Sequence, residues 1–158
     1  MRKKRNYKRD HQSDVKYDSV AVSRFVNYLM EGGKKTVAEK VLFNTFEDIQ
    51  KKVKAEPLGV FEKAIENASP MMEVVSKRVG GANYQVPREV RPERKFFLAC
   101  RWIIEAARGQ KGKSMAIRLS EELISASKNE GSAIKKKQNI HKMAEANRAF
   151  AHFARQRR

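Results

Sequence analysis

The run Ala107-Arg-Gly-Gln-Lys-Gly112-Lys113-Ser114 ends in Gly-Lys-Ser, the order found where a phosphate-cradling loop meets its helix. In such a loop, backbone N–H groups wrap the phosphates, the lysine reaches the outer phosphate, and the hydroxyl holds magnesium. That chemistry needs a glycine where Ala107 stands and a strand before the loop, whereas the preceding residues have a helical period. The run is therefore read as a helix–helix connection whose lysines face phosphate, aided by the next helix's N-terminus. The histidines are His11, His141 and His152. His141, Glu145 and His152 share a helical face only loosely, and a metal site needs three or four ligands converging from packed elements. No Ser/His/Asp set, carboxylate pair or acidic nuclease cluster stands out. No catalytic residue, metal or cofactor is expected. Glu62/Glu66 and Glu121-Glu122 alternate with bases and read as solvated surface, as do Lys51, Lys52 and Lys54.

What remains is cationic chemistry. The 158 residues carry 35 Lys+Arg against 18 Asp+Glu, a formal charge of +17. A folded chain with this excess calls for an anionic partner, and phosphate backbones are the usual one, because each phosphate neutralised releases a condensed counterion. The bases come in clusters: Arg2, Lys3, Lys4, Arg5, Lys8 and Arg9; Lys34 and Lys35; Lys77 and Arg78; Arg88, Arg91, Arg94 and Lys95; Arg101, Arg108, Lys111 and Lys113; Arg118; Lys135, Lys136, Lys137, Lys142 and Arg148; and the terminal arginines. One such cluster is ordinary solvated surface, but several at helix ends and on a hairpin point to nucleic acid. Tyr7 and Tyr84 lie among them and offer faces for unpaired bases, though Tyr84 equally suits the hairpin's covered face. His141 is a further candidate RNA contact, lying on a helix stripe with Lys137, Ala144 and Arg148.

The elements that must hold these groups are mostly helical. Residues 1–14 are polar and basic and read as an arm that orders on a polyanion. Ser19 caps a first helix with apolar Val22, Phe25, Val26, Leu29 and Met30, stopped by Gly32-Gly33. Thr36 and Glu39 have capping-box spacing before a stripe of Ala38, Val41, Leu42, Thr45, Phe46, Ile49 and Val53. Pro57 opens a third helix with Leu58, Phe61, Ala64, Ile65 and Ala68. The period then changes to two strands around Gly80-Gly81, a hairpin at about 73–88. Pairing across the turn puts Val75, Val79, Ala82, Tyr84 and Val86 on one face, and Arg78, Asn83 and Gln85 on the other. A lone hairpin is marginal in water, so it should lean on the helices or a ligand. Pro92 opens a fourth helix (inner stripe Phe96, Ala99, Cys100, Ile103, Ala107), and Ser114 caps a fifth through Met115, Leu119, Leu123 and Ala126. A last helix runs from Ser132 to Phe153 with Ile140, Met143, Ala146, Phe150 and Phe153 facing inward.

This pattern gives one mainly α domain, residues 15–158, of about six helices with an inserted β-hairpin, preceded by the basic arm. The 41% apolar content is enough for a core. No apolar run approaches the ~20 residues that span a bilayer, so no membrane partner is expected. A single Cys100 excludes an internal disulfide and fits a reduced compartment. Two rival readings belong to other classes. A DNA-binding regulator needs a helix-turn-helix with base-reading residues and prefers duplex DNA. A basic nuclease needs metal-dependent cleavage of RNA.

Longer motifs narrow the choice. Arg78-Val-Gly-Gly-Ala-Asn-Tyr-Gln-Val-Pro87, Val90-Arg-Pro-Glu-Arg94, Lys113-Ser-Met-Ala-Ile-Arg-Leu119 and His141-Lys-Met-Ala-Glu-Ala-Asn-Arg-Ala-Phe-Ala-His152 resemble the bacterial-type small-subunit ribosomal protein S-seven family. Lys16-Tyr17, Phe25-Val-Asn, Leu29-Met30, Gly33-Lys-Lys35 and Ala38-Glu-Lys40 agree, so the likeness spans nearly the whole chain. The resemblance implies a non-catalytic, cytoplasmic constituent of the small ribosomal subunit that binds ribosomal RNA of the head early in assembly and organises that region. It also implies neighbouring ribosomal proteins as partners. By the same resemblance, Lys34, Lys35, Arg78, Arg91, Arg94, Lys113 and Arg118 contact RNA. The hairpin tip, Val79, Gly80, Gly81, Ala82, Asn83 and Tyr84, approaches the exit-site transfer RNA and the messenger path. The chain departs from the family pattern at Asp14 to Asp18, where a proline usually precedes the lysine and a glycine follows the tyrosine. It departs again at Arg88 and in the tail Ala154-Arg-Gln-Arg-Arg158.

Overall fold

A computed structural model describes residues 11–154; the expectations for Arg2 to Arg9, Tyr7 and the terminal arginines lie outside the described residues. The order is α1 (Val20–Leu29), α2 (Lys35–Val53), α3 (Pro57–Ala68), β1 (Met72–Val79), β2 (Ala82–Glu89), α4 (Pro92–Gly109), α5 (Met115–Ser127), α6 (Ser132–Ala146) and a 3₁₀ segment, Arg148–Ala154. The fold is mainly α with one two-stranded antiparallel hairpin, as the change of period predicts.

Apolar periodicity builds the core. Phe25, Phe46 and Phe61 are fully buried, one each from α1, α2 and α3. Phe61 meets Phe25 edge-on at 5.3 Å between ring centres and Phe46 at 5.7 Å. Burying each ring contributes about 1.5–3 kcal/mol. Leu119 and Leu123 of α5 close the layer against α2 and α3. Helix α4 lies centrally, touching α1, α3, α5 and α6. Leu98, Trp102 and Ile104 are therefore buried beside the expected Ala99, Cys100, Ile103 and Ala107.

Several local expectations need correction. The capping box does not form: Gly33 passes the chain directly into α2, Lys34 stands at the N-cap, and Thr36 falls inside the first turn with no cap bond. Ser19 and Ser114 occupy N-cap positions with extended backbone, but neither hydroxyl bonds the first turn. Helix α1 ends at Leu29, before the glycine pair. Val53 stays exposed at the end of α2. The last helix breaks at Asn147, where the chain tightens into the 3₁₀ segment. Its inward face is also rotated from the expected one. Ala133, Ile134 and Ala144 are buried while Met143 and Ala146 are exposed, so the stripe through Lys137 and His141 faces the body. Glu122, expected as solvated surface, is 3% exposed, and its Oε1 accepts the Ala133 N–H at 2.9 Å at the start of α6.

The departure at residues 14–18 has a local explanation. Asp14 Oδ2 accepts the Lys16 and Tyr17 N–H groups at 3.0 and 3.2 Å, a side-chain turn in place of a proline's fixed angle. Asp18 takes φ +46° where the family pattern has glycine, and aspartate is among the residues that tolerate that region. Tyr17 is thereby set edge-on to Phe46 at 5.0 Å.

The hairpin has the expected two-residue turn, with Gly80 at φ +57° and Gly81 at +90°. Its register pairs Val75 with Val86, Lys77 with Tyr84 and Val79 with Ala82, which puts those six residues on one face. That face leans on the 3₁₀ segment: Tyr84 lies 5.2 Å from Phe150 and 5.4 Å from Phe153, and Lys77 Nζ donates to the Phe153 carbonyl at 2.6 Å. At the hairpin's base, Glu73 is 8% exposed. One of its oxygens accepts Arg88 Nε and Nη2 at 2.8 and 2.6 Å, and the other accepts Arg94 Nε at 3.4 Å. The clamp ties both strands to the first turn of α4.

Candidate nucleic-acid interface

Three of the expected contact residues from distant parts of the chain converge on one groove. Lys34 comes from the turn before α2, Arg108 from the last turn of α4 and Arg118 from the first turn of α5. The groove has a volume of about 610 Å³ and an apolar floor that includes Val41 and Met115. Arg108 Nη2 donates to the Leu29 carbonyl at 3.1 Å and pairs with Glu31 at 2.8 Å. Arg118 Nη1 donates to the carbonyls of Arg108 and Gln110, while its Nε is buried without a hydrogen-bond partner. Arg118 thus laces the 110–114 connection to the end of α4. That fixes the position of a loop carrying exposed Lys111 and Lys113.

The connection lacks phosphate-loop geometry, since a helix precedes it and Ala107 lies buried inside that helix. Lys113 Nζ pairs with Glu121 at 2.6 Å, and Lys52 approaches the same carboxylate at 3.8 Å. The Lys113 hydrogen bond, ahead of the attraction of Lys52, holds Glu121 below the usual carboxylate range. Lys52, expected as plain solvated charge, also donates to Ser120 Oγ at 3.3 Å.

A second cationic surface surrounds the hairpin base and the start of α4. Arg78, Arg91 and Arg94 are exposed. The Arg94 guanidinium lies 4.9 Å from the Phe97 ring centre, and Arg24 lies 4.5 Å from that of Phe96. Arg24 was not among the sequence candidates. Its Nε is buried without a hydrogen-bond partner, and its guanidinium is stacked on an aromatic face. Its neighbours Phe25 and Val26 dominate the pattern there, so nothing in the periodicity singles it out. Tyr84, offered either to bases or to the hairpin's covered face, packs on Phe150 and Phe153.

The third group lies on α6. Lys135, Lys142 and Arg148 are exposed, and Lys136 pairs with Glu105 at 2.5 Å. Arg101 approaches the other oxygen of that carboxylate at 2.7 Å. Lys137 and His141 are turned inward: Lys137 Nζ donates to the Asn67 carbonyl at 2.6 Å, and His141 Nε2 accepts the Met71 N–H at 3.2 Å. Burial lowers the pKa of Lys137; burial and then the Lys137 charge lower that of His141. Lys35 sits on the first turn of α2, 3.9 Å from Glu39.

Nothing in this arrangement resembles a reaction centre. Among the described residues no three His, Cys, Asp or Glu side chains converge as metal ligands. His152 Nδ1 lies 2.8 Å from the Ala149 carbonyl. Burial pushes the Cys100 thiol up to about 12, outweighing the charge of Arg24, so no thiolate is available near neutrality. Among the described residues no helix is long and apolar enough to cross a membrane.

Comparison with known proteins gives a consistent picture. Residues 1–148 match the family described as Ribosomal protein S7p/S5e. The chain is 51% identical over 152 residues to the small ribosomal subunit protein uS7 of Chelativorans sp. (strain BNC1), covering 96% of this chain and 97% of the relative. It is 50% identical over 153 residues to the uS7 of Thermotoga maritima, covering 97% and 99%. With that of Cupriavidus necator it shares 53% over 146 residues, covering 92% and 94%.

Proposed function

The chain belongs to the Ribosomal protein S7p/S5e family, a non-enzymatic structural component of the ribosome, and from that premise we propose that it binds and organises the ribosomal RNA of the small-subunit head. The observation that carries this reading is the convergence of Lys34, Arg108 and Arg118 from three separate elements on one groove. A packed helical body holds these cations at fixed separations, so a folded RNA that presents phosphates at matching separations meets them without a further ordering cost. The residues of the arm, Arg2 to Arg9, extend the same contact. Lys35, Arg78, Arg91, Arg94, Lys111, Lys113, Lys135, Lys136, Lys142 and Arg148 supply further phosphate contacts. Lys77, Lys137 and His141 contribute through their backbone anchors, by holding the hairpin and α6 in place.

The hairpin tip, Val79 to Tyr84, reaches the exit-site transfer RNA and the messenger path in the assembled subunit. Its turn is exposed, and the base of the hairpin is anchored through Glu73 and Arg88. The working location is the ribosome in the cytoplasm, beside neighbouring small-subunit proteins.

Competition binding tests the first claim. The purified chain should prefer head-domain RNA to a scrambled RNA of equal length and to duplex DNA. If 6–10 of these cations neutralise phosphates at once, affinity should fall by ~10³–10⁵ between about 50 and 200 mM salt. Equal affinity for the head and scrambled RNAs contradicts specific recognition. Shortening 79–84 should leave head-RNA affinity intact while changing crosslinking to exit-site transfer RNA. Loss of head-RNA binding instead contradicts this division of roles.

A further inference from the structure

The turn joining α1 to α2 holds an acid at one end and a base at the other. Lys34 N–H donates to the Glu31 carbonyl at 3.1 Å, and the two residues between, Gly32 and Gly33, lie at φ +57° and +74°. A Cβ at either glycine would meet nothing within 4 Å, so the requirement there is for left-handed backbone, not for space. This turn delivers the Glu31 carboxylate to Arg108 Nη2 at 2.8 Å, with side-chain exposures of 76% and 42%. Elsewhere, Glu73, Glu105 and Glu121 are each shared between two cations, while Glu39 and Glu47 each pair with a lysine away from this groove. Glu31 pairs with Arg108 on the rim of the groove that also holds Lys34 and Arg118.

We infer that Glu31 is an internal counter-ion that holds the place of an RNA phosphate at Arg108 and is displaced when RNA binds. The inference rests on the RNA-binding function proposed above and deepens it. An exposed carboxylate–guanidinium pair is weak and screened by salt, and here Glu31 meets Arg108 through Nη2 alone, so a phosphate that takes two parallel hydrogen bonds from the guanidinium displaces it at little cost. Together with the Leu29 carbonyl, 3.1 Å from the same Nη2, the pair holds Arg108 at the groove before RNA arrives. The exchange costs one broken ion pair per binding event, largest where salt is low.

The test compares Glu31→Gln with Glu62→Gln, a charge-matched change at an exposed residue of α3, on head-domain RNA across a salt series. Glu31→Gln should bind about two- to fivefold more tightly than wild type at low salt, converging on it as salt rises. In an Arg108→Ala background the same change should have no effect, because the pair it breaks is already gone. Equal gains for Glu31→Gln and Glu62→Gln, or a gain that survives loss of Arg108, overturn the exchange and leave the RNA-binding function standing. A wild-type chain that does not distinguish head RNA from scrambled RNA removes that function, and the exchange with it.

Discussion

Glu122 and Ala133 form a buried bridge between α5 and α6, with a carboxylate oxygen 2.9 Å from the N–H near the start of the second helix. Gly131, at φ +96°, makes room for it: a Cβ there would stand 2.9 Å from the same oxygen and 3.2 Å from Ser125 Cβ. Replacing Glu122 by Ala strands a buried donor and should cost about 1–3 kcal/mol in urea unfolding. Glu122→Gln keeps an acceptor and should cost less. Gly131→Ala meets both the close contact and an extended positive-φ backbone that is almost confined to glycine, which alone costs about 1–3 kcal/mol.

The Glu73 clamp sets the hairpin's base. Its side chain is nearly buried, while Arg88 and Arg94 are about half exposed and still reach water, so only part of the pairing counts toward stability. Glu73→Gln should destabilise the domain by roughly 1–2 kcal/mol and speed amide exchange in β1 and β2 before the helical core opens. Exchange that accelerates equally in α3 and β1 would show that the hairpin does not open separately.

The contact between His141 and Met71 makes stability pH-dependent. The ring must be neutral to accept the Met71 N–H, and burial, then Lys137, lower its pKa in the folded chain. Between that lowered value and the unfolded value near 6.5, the unfolded chain binds a proton that the folded chain refuses. Stability is therefore full above that window and erodes as pH falls through it. The melting temperature of wild type relative to His141→Gln should fall as pH drops below about 6.5. Glu105 acts lower: the hydrogen bond from Lys136, ahead of that from Arg101, lowers its carboxyl pKa. Its contribution is present above the unfolded carboxyl pKa and is lost as pH falls through the lowered one.

The 3₁₀ segment depends on the hairpin for its order. At seven residues it is longer than such helices usually run, and Tyr84 and Lys77 hold it. Tyr84→Ala removes two aromatic contacts worth about 0.5–1.5 kcal/mol each. Amides of residues 148–154 should lose protection while those of α2 and α5 keep theirs. Unchanged protection at 148–154 would mean the segment is held by other contacts.

The hairpin was legible because a change of period and a Gly-Gly pair act locally, and helices α1 to α5 because each carries apolar residues at helical spacing between clear stop signals. The face of α6 was not. Periodicity favours Ile140, Met143 and Ala146; Ile140 does pack against the core, but Met143 and Ala146 are exposed, and the inner face includes Lys137 and His141, whose polar atoms are satisfied by the Asn67 carbonyl and the Met71 amide. Those partners lie 70 residues away and exist only in the fold. Trp102 and Leu98 escaped for a related reason, since a helix packed on several sides has no single stripe. The basic clusters were visible in sequence, whereas the meeting of Lys34, Arg108 and Arg118 depends on how α2, α4 and α5 come together.

The most direct test of the central claim is hydroxyl-radical protection of complete small-subunit ribosomal RNA by the purified chain, with and without the Lys34/Arg108/Arg118 triple alanine variant. A body with preset cation spacing predicts one compact protected region in the head, lost or reduced locally in the variant. Diffuse protection along the RNA, unchanged by the variant, would contradict it.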